Sequence, residues 1–296
     1  MYNKLIQKQP MMRRVLLSLL PIYAFALYLY GLHLVFLTLV VFPLGLGMEL
    51  LFERRNKKKA TEAVFVTCML YLLSLPPLVP LWIAGVGILF AVFIAKEIFG
   101  GFGRNVFNPA IAGRLFVYIT FSPHMTTGWL SAGNFGIDAV STATPLHQAA
   151  GQQVDLLHMV LGFRPGSMGE SPIILILLAA VFLVVTKTAK ARIMLSTVGS
   201  AAVLMVILKL LQVPNAMDIL PGLLAGSLLF VAVFMATDPV SAPKKAGSQV
   251  VYGILIGAIV VLIRLFPLFT EGTSFAVLLG NTFAPLLDQV FTRSKA

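Results

Sequence analysis

The feature that most limits what this chain can fold into is its succession of long apolar segments. Of its 296 residues, 58% are hydrophobic and 11% charged, against about a quarter charged in soluble domains. A helix needs about 20 apolar residues to cross the hydrocarbon of a bilayer. Ten such segments, several of them short, can be laid on the sequence: 15–30, 34–52, 63–76, 81–99, 105–121, 171–187, 191–211, 219–236, 249–266 and 274–291. The pattern predicts an all-α polytopic membrane protein, one integral domain over 1–296. It divides into a tail (1–14), helices 1–5 (15–121), a loop (122–170), helices 6–10 (171–291) and a second tail (292–296). The third segment is too short to cross straight. It ends at Pro76-Pro77-Leu78-Val79-Pro80, where proline removes donors and breaks a helix. Broken helices are tolerated at membrane depth only inside protein.

A net charge of +11 in a soluble chain would point to nucleic acid. Here the distribution excludes that reading. With ten spans, 18 of the 22 Lys and Arg fall on one side, in 1–14, 53–62, 96–104, 187–192, 244–245 and 293–295. Basic loops stay cytoplasmic, which predicts both termini inside, the 122–170 loop outside, and an inner (plasma) membrane location. The same loops suit acidic lipid headgroups. The basic start resembles a signal peptide, but no small-x-small cleavage site follows, so 15–30 reads as a retained first span.

A faint repeat relates spans one to five to spans six to ten with opposite topology. The third and eighth spans both end in proline-rich runs, 76–80 and 237–243. Asn105-Val106-Phe107-Asn108-Pro109 parallels Asn281-Thr282-Phe283-Ala284-Pro285. Inverted repeats with broken helices mark transporter-like folds. Residues 153–163 read as a helix lying on the outer surface, with Val154, Leu157, Val160 and Leu161 on one face.

Several chemistries are excluded. A lone Cys68 makes no internal disulfide and holds no iron–sulfur cluster. His33, His124, His147 and His158 read as loop residues, so a haem with paired axial histidines and a metal site are not expected. There is no nucleophile elbow, and Gly100-Gly101-Phe102-Gly103 follows no strand, so it is no dinucleotide fingerprint. Lys96 and Glu97 read as a snorkelling pair at a helix end. Glu62, Glu97, Asp218 and Glu271 lie near span ends, where solvated placement is expected. Arg114, about ten residues into the fifth span, is a candidate intramembrane charge, with Asp238 or a bound group as its partner. Asn105 and Asn108, three apart at the start of that span, share a helix face. Their amides can match the alternating carbonyls and N–H groups of a ring edge, or serve as helix cap and interhelical tie.

The longest polar stretch, about 122–152, holds Asp138-Ala139-Val140-Ser141-Thr142-Ala143-Thr144-Pro145-Leu146. This run resembles the flavinylation motif of the NqrB/RnfD family, with Ala139 and Thr142 where glycine is usual. The motif residues are Asp138, Ser141 and Ala143, and Thr144 corresponds to the threonine that carries FMN through a phosphoester. Small neighbours leave that hydroxyl open to an attaching enzyme, and Pro145 keeps Thr144 out of a helix. The segment 103–110, with 166–170 and 236–241, also resembles that family, so the likeness covers roughly 10–291. It implies a urea-channel-like fold and riboflavin held by Asn105 and Asn108. It implies a role as a subunit of an ion-translocating oxidoreductase (a translocase), not catalytic alone. Partners would be the other subunits and a flavin transferase. The beginning of the chain and Met125-Thr126-Thr127 lean towards an Rnf-type ferredoxin:NAD+ complex, with an NqrB-type NADH:quinone reductase subunit as the alternative. A non-redox solute channel or transporter of similar fold is the reading from another class.

Overall fold

The computed structural model describes residues 5–127, 129, 160–164, 166–266 and 272–293. In chain order, β1 (Ile6–Gln7) leads into α1 (Pro10–Tyr30) and α2 (Leu32–Arg55). There follow β2 (Ala60–Thr61), α3 (Ala63–Ser74) and α4 (Leu81–Val92), which runs on as a π turn, π1 (Phe93–Glu97). Next come α5 (Pro109–Thr120), α6 (Ser122–Thr127), α7 (Ile173–Val185), α8 (Ala191–Leu210) and α9 (Ile219–Leu224). The short α10 (Leu228–Phe230) continues as π2 (Val231–Met235), before α11 (Ala246–Arg264) and α12 (Gly272–Arg293).

The protein is thus mostly helical, and among the described residues five helices, α1, α2, α8, α11 and α12, are long and apolar enough to cross a membrane. The departure from an all-α fold is small. β1 and β2 pair in parallel, Ile6 beside Ala60 and Gln7 beside Thr61, which ties the start of the chain to the basic 53–62 loop. Glu62 clamps this strap, accepting from Gln9 N at 2.6 Å and from the Arg13 guanidinium at 2.5–2.9 Å.

Helices without a hydrophobic force between them need small residues at their crossings. Gly253 and Gly257 of α11 meet α8 in this way: a Cβ on Gly253 would lie 2.9 Å from Ile193 O, and one on Gly257 would overlap Thr197 O. The broken helices are capped from elsewhere in the chain. α3 ends at Ser74 ahead of the prolines, and the carbonyls of Leu73 and Leu75 accept from Gly169 N (2.6 Å) and Met168 N (3.2 Å). Arg264 donates to Gly222 O (2.7 Å) and Ala225 O (3.3 Å) where α9 breaks. Such buried carbonyls have no intrahelical partner, so each cap removes a desolvation cost.

Several expectations are corrected. α5 begins at Pro109, not 105, because Asn108 takes the N-cap position and proline starts a helix well. Asn105 therefore precedes the helix, and the shared-face argument fails. Lys96 does not snorkel; it is 1% exposed. Glu62 and Glu97 are buried rather than solvated, because each end lies under another segment. Asp218 is exposed, facing Lys209. His33 lies in α2 and bonds Val79 O at 3.1 Å, so it is no loop residue. Glu271 and most of the surface helix expected at 153–163 lie outside the described residues.

Candidate functional site

Asn108 is held by three elements. Its side-chain Oδ1 accepts from Ala110 N (3.0 Å) and Ile111 N (3.4 Å), capping α5. Its Nδ2 donates to Met235 O at the end of π2 (3.3 Å), and its backbone N donates to Asn281 Oδ1 on α12 (3.1 Å). Asn281, fully buried, donates in turn to Tyr252 Oη (2.8 Å) and Ser241 O (3.4 Å). The two asparagine- and proline-bearing runs of the sequence therefore meet, and the polar groups of two broken segments satisfy one another.

Asn105 differs. It is 5% exposed, its Nδ2 donates to Phe107 O (3.0 Å), and its Oδ1 is buried with no partner among the described residues. Buried carbonyl oxygens are nearly always paired. Asn105 is also one of the residues that line a cleft whose walls carry Asn108, Lys96, Thr67, Asp238 and Met12. The cleft leaves about 60 Å³ for water-sized occupants, within about 670 Å³ of space between atoms that includes open solvent. Apolar side chains of α1, α3, α7 and π2 supply most of the lining. Asp238, half-buried, accepts from Val240 N at 2.9 Å.

Lys96 reaches this cleft from π1 while its ammonium pairs with Glu49 of α2. Glu49 is fully buried and also accepts from Thr61 N and Thr61 Oγ1, both at 2.8 Å. Sequence reasoning passed over Glu49, although a carboxylate inside the apolar run 34–52 was signal enough. Arg114 is buried in α5 and donates to Ser167 at 3.3 Å. Of the two partners the sequence left open for Arg114, Asp238 lies on the cleft, whereas Ser167 belongs to the segment that caps α3. Two other buried arginines are also bonded: Arg264 to the break in α9, and Arg164 to Glu170 O at 2.8 Å.

The structure thus brings Asn105, Asn108 and Asp238 to one cleft and leaves Arg114 to a separate contact. Asp138, Ser141, Ala143 and Thr144 lie outside the described residues. No cluster of three metal-ligating side chains occurs among the described residues.

The NQR2, RnfD, RnfE family model matches residues 2–296. The chain is similar to the B-type subunit of the Na(+)-translocating NADH-quinone reductase of Chromohalobacter salexigens, with 41% identity over 266 residues, 86% of this chain and 64% of the relative. The protein of the same name from Azotobacter vinelandii is 38% identical over 262 residues, 84% of this chain and 64% of the relative. That of Pseudoalteromonas atlantica is 39% identical over 286 residues, 91% of this chain and 69% of the relative. The chain therefore spans about two thirds of the length of the curated relatives it matches.

Proposed function

The chain belongs to the NQR2, RnfD, RnfE family, and from that premise we propose that it is a flavin-carrying membrane component of an ion-translocating redox complex. The fold has ten spans in this reading: the five long helices, and five shorter or broken ones packed among them, arranged as two inverted repeats. The relatives' names support an NADH–quinone reductase type of complex over the Rnf type expected from sequence. Partner subunits would supply the electron donor and acceptor, and a flavin transferase would load Thr144.

The observation that carries the flavin reading is that Asn105, whose buried Oδ1 lacks a donor among the described residues, is one of the residues lining a largely apolar cleft. An acceptor buried without a donor suits the ring N–H of an isoalloxazine, and the walls suit its apolar face. A bound flavin supplies one- and two-electron transfer there. The chain's own residues would do the rest. Asn105 accepts the ring N–H, and Lys96 holds positive charge nearby while neutralised by Glu49. Met11 and Met12, flexible enough to fill irregular space, would swing aside, because ligand-sized pockets run to about 300–1,000 Å³. Asn108 fixes the start of α5 beside Asn105.

Two experiments test this. On a denaturing gel of protein co-expressed with a flavin transferase, the band should fluoresce under ultraviolet light and go dark in Thr144→Ala. A dark band in the unmodified protein removes the covalent site. For the second flavin, Asn105→Leu should lose extractable riboflavin while keeping the fluorescent band, and unchanged riboflavin content refutes the role of Asn105. Asn105→Leu is preferred to the double change with Asn108→Leu, which would also remove a helix cap.

A further inference from the structure

The walls of the cleft are not all held alike. Asn108 ties α5 to π2 and α12, and Lys96 of π1 is held by Glu49 of α2. β2 belongs to the same body, because Thr61 N and Thr61 Oγ1 both donate to Glu49 at 2.8 Å. The start of α1 is a separate case. Its residues Met11, Met12 and Val15 line the cleft, and it bridges the cleft from rim to rim. On one rim Glu62, 2% exposed, accepts from Gln9 N (2.6 Å) and from the Arg13 guanidinium, while Glu62 N donates to Gln7 O at 3.3 Å. On the other rim the exposed Arg14 donates to Thr186 O at 3.0 Å, just before Thr188 and Ala189, which also line the cleft.

This stretch is also the one built to open. β1 and β2 have two residues each, and a strand pair so short is marginal by itself. The bonds that hold β1 and α1 down converge on Glu62, so losing that one carboxylate releases several at once, and hydrogen bonds to a charged group are among the stronger ones. Pro21 lies inside α1 and has no N–H to give Leu17 O, and helices bend at such a step. An opening is needed as well. The cleft leaves about 60 Å³ for occupants, whereas ligand pockets begin at about 300 Å³.

We propose that β1 and the first turns of α1 form a strap that gates the cleft, latched by Glu62 and hinged at Pro21, and that a flavin of the riboflavin class enters and leaves when the strap is released. The strap parts from β2, which stays with Glu49. Openings of this kind are local and draw on the least stable end of a fold, and closure behind a bound ligand shuts out water, as lids do. Removing the Glu62 carboxylate therefore speeds exchange without abolishing the site, since Asn105 and Lys96 lie outside the strap. The identity of the cargo rests on the flavin reading; the motion does not.

The full chain in lipid nanodiscs tests both. Met12 is 6% exposed and the native Cys68 is fully buried, so Met12→Cys reports the strap to a water-soluble maleimide. Adding Glu62→Gln should raise its labelling rate about tenfold or more while Cys68 stays unlabelled. An unchanged rate overturns the gate. So does Cys68 reacting in step, because the whole protein would then have opened. A second arm closes the strap instead. Ile6 and Ala60 are paired neighbours, and Ile6→Cys with Ala60→Cys joins them by a disulfide under mild oxidant. Exchange of bound for radioactive riboflavin should nearly stop in the oxidised protein and return on reduction. Equal exchange in the two states overturns the strap as the entrance for flavin. A chain that responds in the labelling arm yet holds no extractable riboflavin supports the gate and refutes the flavin reading instead.

Discussion

A carboxylate inside a membrane helix survives only with partners, and Glu49 has three: the Lys96 ammonium, the Thr61 amide and the Thr61 hydroxyl. Removing one member of such a pair leaves the other charged and dry. Lys96→Met alone should therefore destabilise the protein by about 3–5 kcal/mol. Lys96→Met combined with Glu49→Leu should recover most of that loss, since a buried pair is worth little against apolar residues of similar size. Thermal unfolding in detergent, followed across the four proteins of a double-mutant cycle, measures it, and additive losses would show that the pair is not coupled. The two asparagines separate in the same manner. Asn108→Ala should cost about 1 kcal/mol or more through loss of the α5 cap and the bond to Met235 O, whereas Asn105→Ala should cost less, because it loses only the Nδ2 bond to Phe107 O and also removes an unsatisfied buried Oδ1. Equal losses at both positions would contradict this bonding. Sequence alone pointed to both residues but placed them on one helical face. The Asn108-Pro109 step, which starts the helix at the proline, was the signal against that.

The helices were legible where a long apolar run decides the matter. α1, α2, α8, α11 and α12 fall where hydropathy puts them, and α3 stops before Pro76 because proline cannot continue it. The π turns at Phe93–Glu97 and Val231–Met235, and the two-residue strand pair, were not legible. Their residues carry no propensity for these shapes; the shapes arise from what packs against them. In π1 the wider turn brings consecutive residues, Lys96 and Glu97, both into the interior, which an α-helical reading assigns to different sides. The α8–α11 crossing was hidden for a related reason, since Gly253-x-x-x-Gly257 matters only once Ser196, Thr197 and Ser200 are known to face it. Gly257→Leu should push these helices apart and cost about 1–3 kcal/mol or more by overpacking, while Gly199→Ala, where a Cβ would meet nothing within 4 Å, should be tolerated. Detergent-stable monomer yield after mild heating distinguishes the two, and equal yields would show that the crossing is not close-packed in solution.

For the whole molecule, the decisive quantity is the side of the membrane on which each loop lies. Five cations crowd residues 54–59, and the 122–152 stretch holds none, so the cost of translocating the first far exceeds that of the second. The buried cations beyond the basic loops fit this asymmetry: Arg114, Arg164 and Arg264 are each spent on a bond inside the protein. Cysteine labelling turns this into a measurement. The native Cys68 is fully buried, so it contributes a silent background. In intact cells, Thr144→Cys should react with a membrane-impermeant maleimide, and Lys58→Cys should react only after the membrane is opened. Thr144→Cys should also lose the ultraviolet fluorescence of the denatured band, which joins topology to chemistry in one sample. If the thiol of the Thr144→Cys variant is labelled only in opened membranes, Thr144 shares a compartment with the lysines. The proposed outer flavin, and the passage of electrons across the bilayer to it, would then both fail.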